Sequence, residues 1–424
     1  MSRRPHLLMI PYYFPPLGMG GVQRPLKFAR YLPEFGWDVT VLTAEPGAYP
    51  ATDESLLAEL PGSVAVERIR AWDPSRLQSR FHRFHRSHRS YSAFLRNWLR
   101  FPDSKRAFVG PAVRRASGLA AVRPFDAVWT SSPPPSVHLV GLRLKRELGI
   151  SWIADFRDPW FARFNDWGPT RWHARYSKSL HSKIISSADR VIAASKAIAA
   201  SVSASSIPPA VITNGYDESD FSATEALPSG QSPFTILLCG TFGENPDPEP
   251  IFNLLGHWAR QDPNRQFSIQ HVGATVGIEL PEIASRHDLQ DRFTSLGYRS
   301  HCEAVRALQS ADLIALPQNG QPEYADILPG RVFEILRSLR PILLLANPAC
   351  ETARLLKSIE GCWIVPPGDM QAGITALDSI AALPRYKPAR SVSAISQFDR
   401  RAQTGQLAAI LDGLRAAPSG GVAR

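Results

Sequence analysis

Short apolar runs alternate with helical stretches twice along the chain, and this repeated pattern restricts the fold more than any other feature. Several runs are continuously apolar, as expected for strands that helices cover on both faces of a parallel sheet. The first series predicts seven strands, at residues 7–10, 39–43, 64–69, 127–131, 152–156, 191–194 and 210–213. The second series predicts six, at residues 235–239, 267–272, 293–296, 313–316, 342–345 and 363–365.

Two such series predict an α/β fold with two doubly wound domains that face each other across a cleft. The length of 424 residues agrees with two domains, because a single core rarely grows beyond about 250–300 residues. A small, polar, turn-rich stretch predicts a linker at 223–233 between domains 1–222 and 234–396. Residues 397–424 are expected to form a helix that packs back across the junction, followed by a frayed tail.

Positive charge is concentrated in residues 76–115, which we call the basic segment. The chain has a net charge of +10, and this segment alone holds eleven Lys or Arg residues against one acid, Asp103. Apolar residues at positions 91, 94, 95, 98 and 99 form an amphipathic helical stripe within it. Arginines beside aromatic residues favour contact with an anionic membrane surface. A solvated face is the alternative, and the lack of a nucleic-acid-binding motif argues against nucleic acid.

The sequence gives no sign of a membrane span or of a disulfide framework. No apolar run approaches the roughly 18–20 residues of a spanning helix, and the apolar run at residues 6–10 is too short for a signal peptide. The four cysteines are dispersed and form no CxxC pair. We therefore expect a cytoplasmic protein, bound peripherally at the inner face of the membrane.

A glycine-rich loop, Gly18-Met-Gly-Gly21, follows the first predicted strand and precedes a helix. Glycine allows close backbone approach, and the helix N-terminus offers N–H groups to an anion or a sugar hydroxyl. Gly20 and Gly21 are therefore candidates for an acceptor or phosphate loop, and a plain strand-to-helix turn is the alternative. The GxGG spacing and the late position of Glu45 argue against a nicotinamide cofactor.

The segment from Asp326 to Glu334 predicts a diphosphate site. Pro329 fits the first position of a helix, so free amides are expected at Gly330, Arg331 and Val332. A diphosphate would meet these amides, the helix dipole and the Arg331 guanidinium. Glu334 would reach a ribose diol, and Asp326 would accept from sugar hydroxyls. The alternative is a helix cap with Glu334 on a solvated face.

Polar residues also follow a predicted strand of the first domain, where open α/β sheets bind ligands. Asp155 or Asp158 could orient an acceptor hydroxyl and Arg157 could hold an acceptor phosphate, or these residues form an internal ion pair. His138 begins a helix and is either an acceptor-side group or a packing residue. Tyr298 follows a glycine and is either a nucleobase-stacking residue or an ordinary loop residue.

The chain resembles retaining glycosyltransferases of the two-domain GT-B fold, and most closely the glycosyltransferase 4-like (family 4) group. The features that match are the D-x7-E spacing, the two Rossmann-like series, the GxGG loop, and residues 11–16, 24–29, 130–138, 154–160, 213–217 and 240–242. The resemblance runs from about residue 6 to residue 415. It implies transfer of a sugar from a nucleotide-sugar on the C-terminal domain to an acceptor on the N-terminal domain.

The chain departs from the family pattern at two points. The family motif is commonly E-x7-E, with the second Glu on the ribose and the first on the donor sugar, and here Asp326 replaces the first Glu. A basic pair commonly follows the first strand of the nucleotide domain, and here Gly240 and Thr241 begin a stretch without Arg or Lys. Arg331 would therefore supply most of the positive charge at the diphosphate.

The resemblance yields a set of expectations. Catalytic candidates are Asp326, Arg331, Asp158 and Asp155. Donor-binding candidates are Glu334, Gly330, Val332, Gly240, Thr241 and Tyr298, and acceptor-side candidates are Gly20, Gly21, Arg157 and His138. No D-x-D pair is present, so metal-independent transfer of a hexose without a cofactor is expected, to a glycan or lipid-linked acceptor in cell-surface polysaccharide assembly. The alternatives are a nucleotide-sugar epimerase and a non-catalytic sugar-nucleotide-binding protein.

Overall fold

The computed structural model describes residues 3–18, 20–46, 52–72, 101–160, 170–203, 207–221, 233–243, 246–318, 324–385 and 387–416. The chain divides into two compact units, Met1–Asn214 with Arg400–Arg424, and Gly215–Asp399. We call them the N-terminal and the C-terminal unit. The first boundary precedes the predicted linker at 223–233, of which only Pro233 is described. Residues 76–100 of the basic segment lie outside the described residues.

The N-terminal unit is built on a seven-stranded parallel sheet in the order β3-β2-β1-β4-β5-β6-β7. Its strands are β1 His6–Pro11, β2 Asp38–Ala44, β3 Ala65–Ile69, β4 Ala127–Ser132, β5 Ser151–Phe156, β6 Arg190–Ala193 and β7 Ala210–Val211. Its helices are α1 Gln23–Tyr31, α2 Val109–Val122, α3 Val137–Leu148, α4 Arg171–Ser187 and α5 Lys196–Ser201.

Alternate residues of one strand enter two separate cores, as strands buried on both faces require. Leu8 and Ile10 lie in one hydrophobic cluster, and Leu7 and Met9 lie in another. The last helix in the chain, α12 Arg400–Ala416, also belongs to this unit. It adds Leu407 to the second cluster. The helix predicted at the C-terminal end is therefore part of the N-terminal unit.

The C-terminal unit is built on a six-stranded parallel sheet in the order β10-β9-β8-β11-β12-β13. Its strands are β8 Phe234–Cys239, β9 Phe267–Val272, β10 Phe293–Ser295, β11 Leu313–Pro317, β12 Ile342–Leu345 and β13 Cys362–Val365. Its helices are α6 Glu249–Gln261, α7 Leu280–Arg286, α8 His301–Ser310, α9 Arg331–Arg337, α10 Glu351–Leu356 and α11 Met370–Ala381, and α12 follows in the chain.

Both sheets reverse their strand order at one point. In the N-terminal unit β1 lies between β2 and β4, and in the C-terminal unit β8 lies between β9 and β11. Open α/β sheets bind ligands outside the carboxyl ends of the strands at such a switch point. The predicted α/β class with two doubly wound sheets is thus confirmed, and the two switch points locate the candidate sites. Among the described residues, no helix is long and apolar enough to cross a membrane.

Candidate functional site

At the switch point of the C-terminal unit, the residues that follow β8 and β9 are both glycine. Gly240 follows β8 directly, has φ +144°, and donates its amide to the Val272 carbonyl at 2.9 Å. Gly273 follows β9 with φ +152°, and a Cβ on it would come within 1.8 Å of the Gly240 oxygen. Both positions thus require glycine. The backbone after β8 is consequently held in one position against the end of β9.

His271, which was not predicted as a site residue, makes a hydrogen bond to the same loop. Its Nε2 lies 3.0 Å from the Gly240 carbonyl oxygen, so Nε2 carries the proton and donates it. Its Nδ1, 3.2 Å from the Ser295 hydroxyl, then accepts. Burial lowers the pKa of His271, which keeps the ring neutral. In the sequence, His271 could have been identified as a titratable residue near the end of a predicted strand.

Arg331 lies beside the end of β8. It opens α9, and its Nη1 lies 3.1 Å from the Cys239 Sγ. Burial acts to lower the pKa of Arg331, but the neighbouring Cys239 and Glu334 outweigh burial and hold this pKa above its usual value. Burial also raises the pKa of the Cys239 thiol. The result is a permanent cation at the carboxyl end of β8.

Glu334 lies about one helical turn after Arg331 and is only 9% exposed. Its Oε2 is buried and has no hydrogen-bond partner within the described part of the chain. A buried carboxylate oxygen without a donor is costly, by several kcal/mol or more for a charged group, unless a ligand supplies the donor. The solvated-face alternative for Glu334 is therefore wrong, and its orphaned oxygen is the strongest local indication of a ligand site.

The start of α9 differs from the prediction in one respect. The helix begins at Arg331, two residues after Pro329, and Gly330 is its N-cap. The Val332 amide is not free, because it donates to the Pro329 carbonyl at 3.1 Å. The amides of Gly330 and Arg331 make no hydrogen bond to any residue that the structure describes. Two of the three predicted amides thus stay available.

Three other donor-side candidates lie on loops. Tyr298 is 48% exposed and close enough to Arg331 for its charge to influence the pKa of the guanidinium. Thr241 and Asp326 are both exposed, and no described contact joins either of them to Arg331. The structure therefore brings together Gly240, Arg331, Glu334 and Tyr298.

In the N-terminal unit, Asp155 is a structural residue and not an available acceptor group. It is completely buried, and the Arg24 guanidinium donates to both of its oxygens, at 2.7 and 3.0 Å. The Ser131 hydroxyl donates to Oδ2 at 2.7 Å. Arg24 also donates to the Thr213 carbonyl at 2.7 Å. The predicted catalytic role of Asp155 is corrected accordingly: it forms an internal ion pair, with Arg24 and not Arg157.

Arg157 is likewise occupied by the protein itself. Its guanidinium donates to the Ser132 carbonyl at 2.7 Å, to the Pro133 carbonyl at 3.3 Å and to the Gly21 carbonyl. Burial lowers its pKa, and Asp158 opposes this. Arg157 therefore ties the loop after β5 to the loops after β4 and β1, and it is not free to hold an acceptor phosphate.

The glycine-rich loop does not use the conformational freedom that was predicted for it. Gly20–Val22 forms a short 3-10 helix before α1, and neither Gly20 nor Gly21 has a positive φ. A Cβ on Gly21 would lie 3.9 Å from Arg157 Nη1, an ordinary contact. Gly21 thus serves as a carbonyl acceptor for Arg157, and the acceptor or phosphate role of Gly20 and Gly21 stays a prediction.

Asp158 is the acceptor-side carboxylate that the described structure leaves without a donor. It is partly buried and makes no hydrogen bond to a described residue. Burial raises its pKa, and the nearby Arg157 acts in the opposite direction. A carboxyl with a raised pKa near the end of a parallel strand suits proton exchange with a hydroxyl.

His138 belongs to the core. It is fully buried, its Nδ1 lies 2.8 Å from the Thr130 hydroxyl, and its ring centroid lies 4.6 Å from that of Phe156. Burial lowers its pKa to about 3, with further lowering by His181 and Arg157. Its Nε2 is buried and has no hydrogen-bond partner among the described residues. His138 thus packs in the core, and its acceptor-side role stays a prediction.

Comparison with known proteins gives a fold and a domain match over part of the chain. Residues 19–215 match the glycosyl transferase 4-like domain model. A search of curated proteins finds no match. Among solved structures, a sucrose-phosphate synthase from Thermosynechococcus elongatus is 15% identical with a TM-score of 0.64, and the match covers 98% of this chain and 100% of that one.

Two further structures span the chain equally well. The apo form of the lipopolysaccharide outer core galactosyltransferase WaaB is 14% identical, with a TM-score of 0.57 and coverage of 96% and 99%. A putative UDP-N-acetylglucosamine 2-epimerase from Listeria monocytogenes is 10% identical, with a TM-score of 0.55 and coverage of 98% of both chains. The chain therefore has the GT-B fold, and its residues 19–215 are similar to the glycosyl transferase 4-like domain.

Proposed function

We propose that this protein is a retaining glycosyltransferase that moves a hexose from a nucleotide-sugar to a glycan or lipid-linked acceptor, in cell-surface polysaccharide assembly. The observation that carries the proposal is the buried, unpartnered Oε2 of Glu334 one turn from the Arg331 guanidinium. A carboxylate that needs a hydroxyl donor, next to a cation that suits phosphate, fits a nucleoside diphosphate. The family match and the GT-B fold support the same class of reaction.

Some of the residues proposed to contact the sugar donor bind it, and others stabilise the transition state. Glu334 accepts hydrogen bonds from the ribose, and Tyr298 stacks on the nucleobase. Arg331 and the free amides of Gly330 and Arg331 face the diphosphate, and Gly240 leaves room for it. Negative charge builds up on the leaving diphosphate in the transition state, so a fixed cation there lowers the barrier.

The proposed transfer needs neither a metal ion nor a cofactor. The leaving phosphate departs from the face on which the acceptor arrives, and it takes the proton of the acceptor hydroxyl, so the anomeric configuration is retained. Asp326 orients the donor sugar through its hydroxyls. Asp158 orients the acceptor hydroxyl, and the raised pKa of this carboxyl agrees with a group that exchanges a proton.

The first experiment identifies the donor. Thermal unfolding is measured with a panel of UDP-, GDP-, ADP- and TDP-sugars, because a ligand that binds only the folded state raises the unfolding temperature. E334Q and R331Q should abolish the shift and the turnover of the donor that emerges, while the exposed control E282Q keeps both. Full turnover by E334Q and R331Q would refute the assigned site.

Two other functions stay testable by the same reagents. The similarity to a putative epimerase favours an enzyme that needs no acceptor, and this enzyme would convert the donor into an epimer when incubated with it alone. The missing basic pair after β8 favours a non-catalytic binding protein, which would bind the donor tightly without hydrolysis or transfer.

We also propose that the protein acts at the inner surface of the membrane. The support is the net charge of +10 carried by the basic segment alone. Clustered arginines are attracted to anionic lipids by about 1 kcal/mol each, and a lipid-linked acceptor lies at that surface. Nucleic acid is not part of the proposal.

A further inference from the structure

Helix α4 of the N-terminal unit exposes two large aromatic side chains. Trp172 is 61% exposed and Tyr176 is 48% exposed. Their rings lie one turn apart with centroids 5.5 Å apart and planes within 3° of parallel. Exposed aromatic pairs are uncommon on protein surfaces facing only water and mark contact sites.

The aromatic pair is anchored to the core of the unit. The Tyr176 ring lies 5.2 Å from the ring of Phe101, which is 6% exposed. The buried His173 contacts both Trp172, at 5.1 Å, and Phe101, at 5.6 Å. The pair is thus a firm platform, and little side-chain freedom is lost when it meets a partner.

Cationic side chains lie on the same exposed face. Arg171, Arg175, Lys178 and Lys183 are all exposed, and α4 contains no Asp or Glu. None of the four makes an ion pair with a residue in the described ranges. Positions 171, 175 and 178 follow helical spacing and lie beside the strip formed by 172 and 176. The face therefore combines an aromatic strip with an unneutralised cationic strip.

We propose that this face of α4 is the surface that docks on an anionic lipid bilayer. Tryptophan and tyrosine prefer the headgroup region, where one end of the ring is apolar and the other is wet. Lysine and arginine beside them bind the lipid phosphates. Phe101, against which Tyr176 packs, is the residue that follows positions 76–100 of the basic segment. Phe101, the first described residue of the basic segment, thus contacts the aromatic pair.

A polyanion such as single-stranded nucleic acid would use the same residue types differently. It would stack bases on ring faces, but Trp172 and Tyr176 stack on each other and leave no space between their rings. In a bilayer, the headgroup region would instead contact the exposed edges of the two rings, and the lipid phosphates would contact the cations.

The inference deepens the membrane association proposed above and names its surface. It requires no donor, so its test is separate from the test of the transferase. The full chain is sedimented with vesicles of phosphatidylcholine alone and of phosphatidylcholine mixed with phosphatidylglycerol. The test variants are W172S/Y176S and R171Q/R175Q/K178Q. Matched controls are V122S/L148S, which changes two exposed apolar residues, and R143Q/R146Q, which changes two exposed arginines, all in the same unit.

The charge variant should bind the anionic vesicles at least about tenfold more weakly, and the aromatic variant several-fold more weakly. Both control variants should bind like the unchanged protein, and all four variants should keep its unfolding temperature. Binding of both test variants within about twofold of the unchanged protein would overturn the proposal. So would loss of binding in the charge variant alone, because it indicates attraction to any polyanion, which single-stranded RNA in place of vesicles would reproduce.

Discussion

At the scale of single residues, the two switch points differ in whether their buried charges are satisfied. Asp155 receives three hydrogen bonds, from Arg24 and Ser131, and needs no ligand. Glu334 is nearly as buried, yet its Oε2 receives no hydrogen bond from the described residues. This contrast separates a carboxylate whose oxygens the fold supplies with donors from one whose Oε2 the described residues leave without a donor.

Neutralising these two carboxylates should lower the stability of the protein to very different extents. D155N leaves the Arg24 guanidinium buried without its counter-charge and should lower the free energy of unfolding by about 3–5 kcal/mol. E334Q removes a buried charge whose Oε2 lacks a donor, but it also removes the attraction between Glu334 and the Arg331 guanidinium, so it should lower this free energy by much less than D155N does. Urea unfolding of both variants measures the difference. Equal destabilisation would show that Glu334 has a structural partner.

The thiol of Cys239 is expected to position Arg331. C239V removes the sulfur atom that accepts from the guanidinium at 3.1 Å, so Arg331 loses the contact that aims it. The KM for the donor should rise by about tenfold, since hydrogen bonds to charged groups contribute about 1.5–3 kcal/mol and a thiol is a weak acceptor. C239S, which keeps an acceptor, should restore most of it, and C302S at an exposed position is the control. An unchanged KM in C239V would contradict the assignment.

At the scale of elements, the strands were predictable and the contacts between them were not. Strands such as β1 and β12 are continuous apolar runs, which identify buried strands without knowledge of their neighbours. The Arg331–Glu334 pair was also predictable, because it lies within one helical turn. The Arg24–Asp155 pair joins residues 131 apart, and the Arg331–Cys239 contact joins residues 92 apart. No local pattern encodes such pairs.

The start of α9 illustrates the limit of local rules. Proline favours the first helical position, but here the Pro329 carbonyl accepts from Val332 and closes a turn before the helix begins at Arg331. Arg157 illustrates the same limit. Its position after β5 suggested a ligand contact, but its guanidinium instead donates to three backbone carbonyls, which belong to residues 24 to 136 positions away.

The close contact between the residues that follow β8 and β9 should tolerate no side chain at Gly273. In G273A the new Cβ would come within 1.8 Å of the Gly240 oxygen, and φ +152° adds strain. The loop after β8 must then move, so a loss of unfolding free energy of more than about 2 kcal/mol is expected, together with loss of donor binding. In the control G277A, φ is +73° but nothing lies within 4 Å. It should cost only about 1 kcal/mol and leave donor binding intact.

At the scale of the whole molecule, the two units differ in how they hold their histidines. In the N-terminal unit, burial lowers the pKa of three histidines from the usual 6.5. The pKa falls to about 3 at His138 and to about 4 at His6 and His181. At His6, neighbouring arginines lower the pKa further. In the C-terminal unit, His287 and His301 lie 2.7 and 2.9 Å from the carboxylates of Glu249 and Asp220.

This difference predicts that mild acid unfolds the N-terminal unit first. A histidine whose folded-state pKa lies below 6.5 stabilises the fold fully above that pH, and the stabilisation is lost as the pH falls, because the unfolded chain takes up the proton. Each such histidine contributes a slope of up to about 1.4 kcal/mol per pH unit. The raised pKa values of Asp103 and Asp158 act in the opposite direction.

Hydrogen exchange followed by mass spectrometry resolves the two units between pH 7 and pH 5, after correction for the intrinsic effect of pH on exchange. Peptides from β1, β4 and α3 should lose protection before peptides from β8, β11 and α9. In the C-terminal unit, His271 alone is buried with a lowered pKa among the described histidines, and its single proton predicts a shallower slope. Earlier loss of protection in the C-terminal unit would mean that the buried imidazoles do not govern the acid stability of this protein.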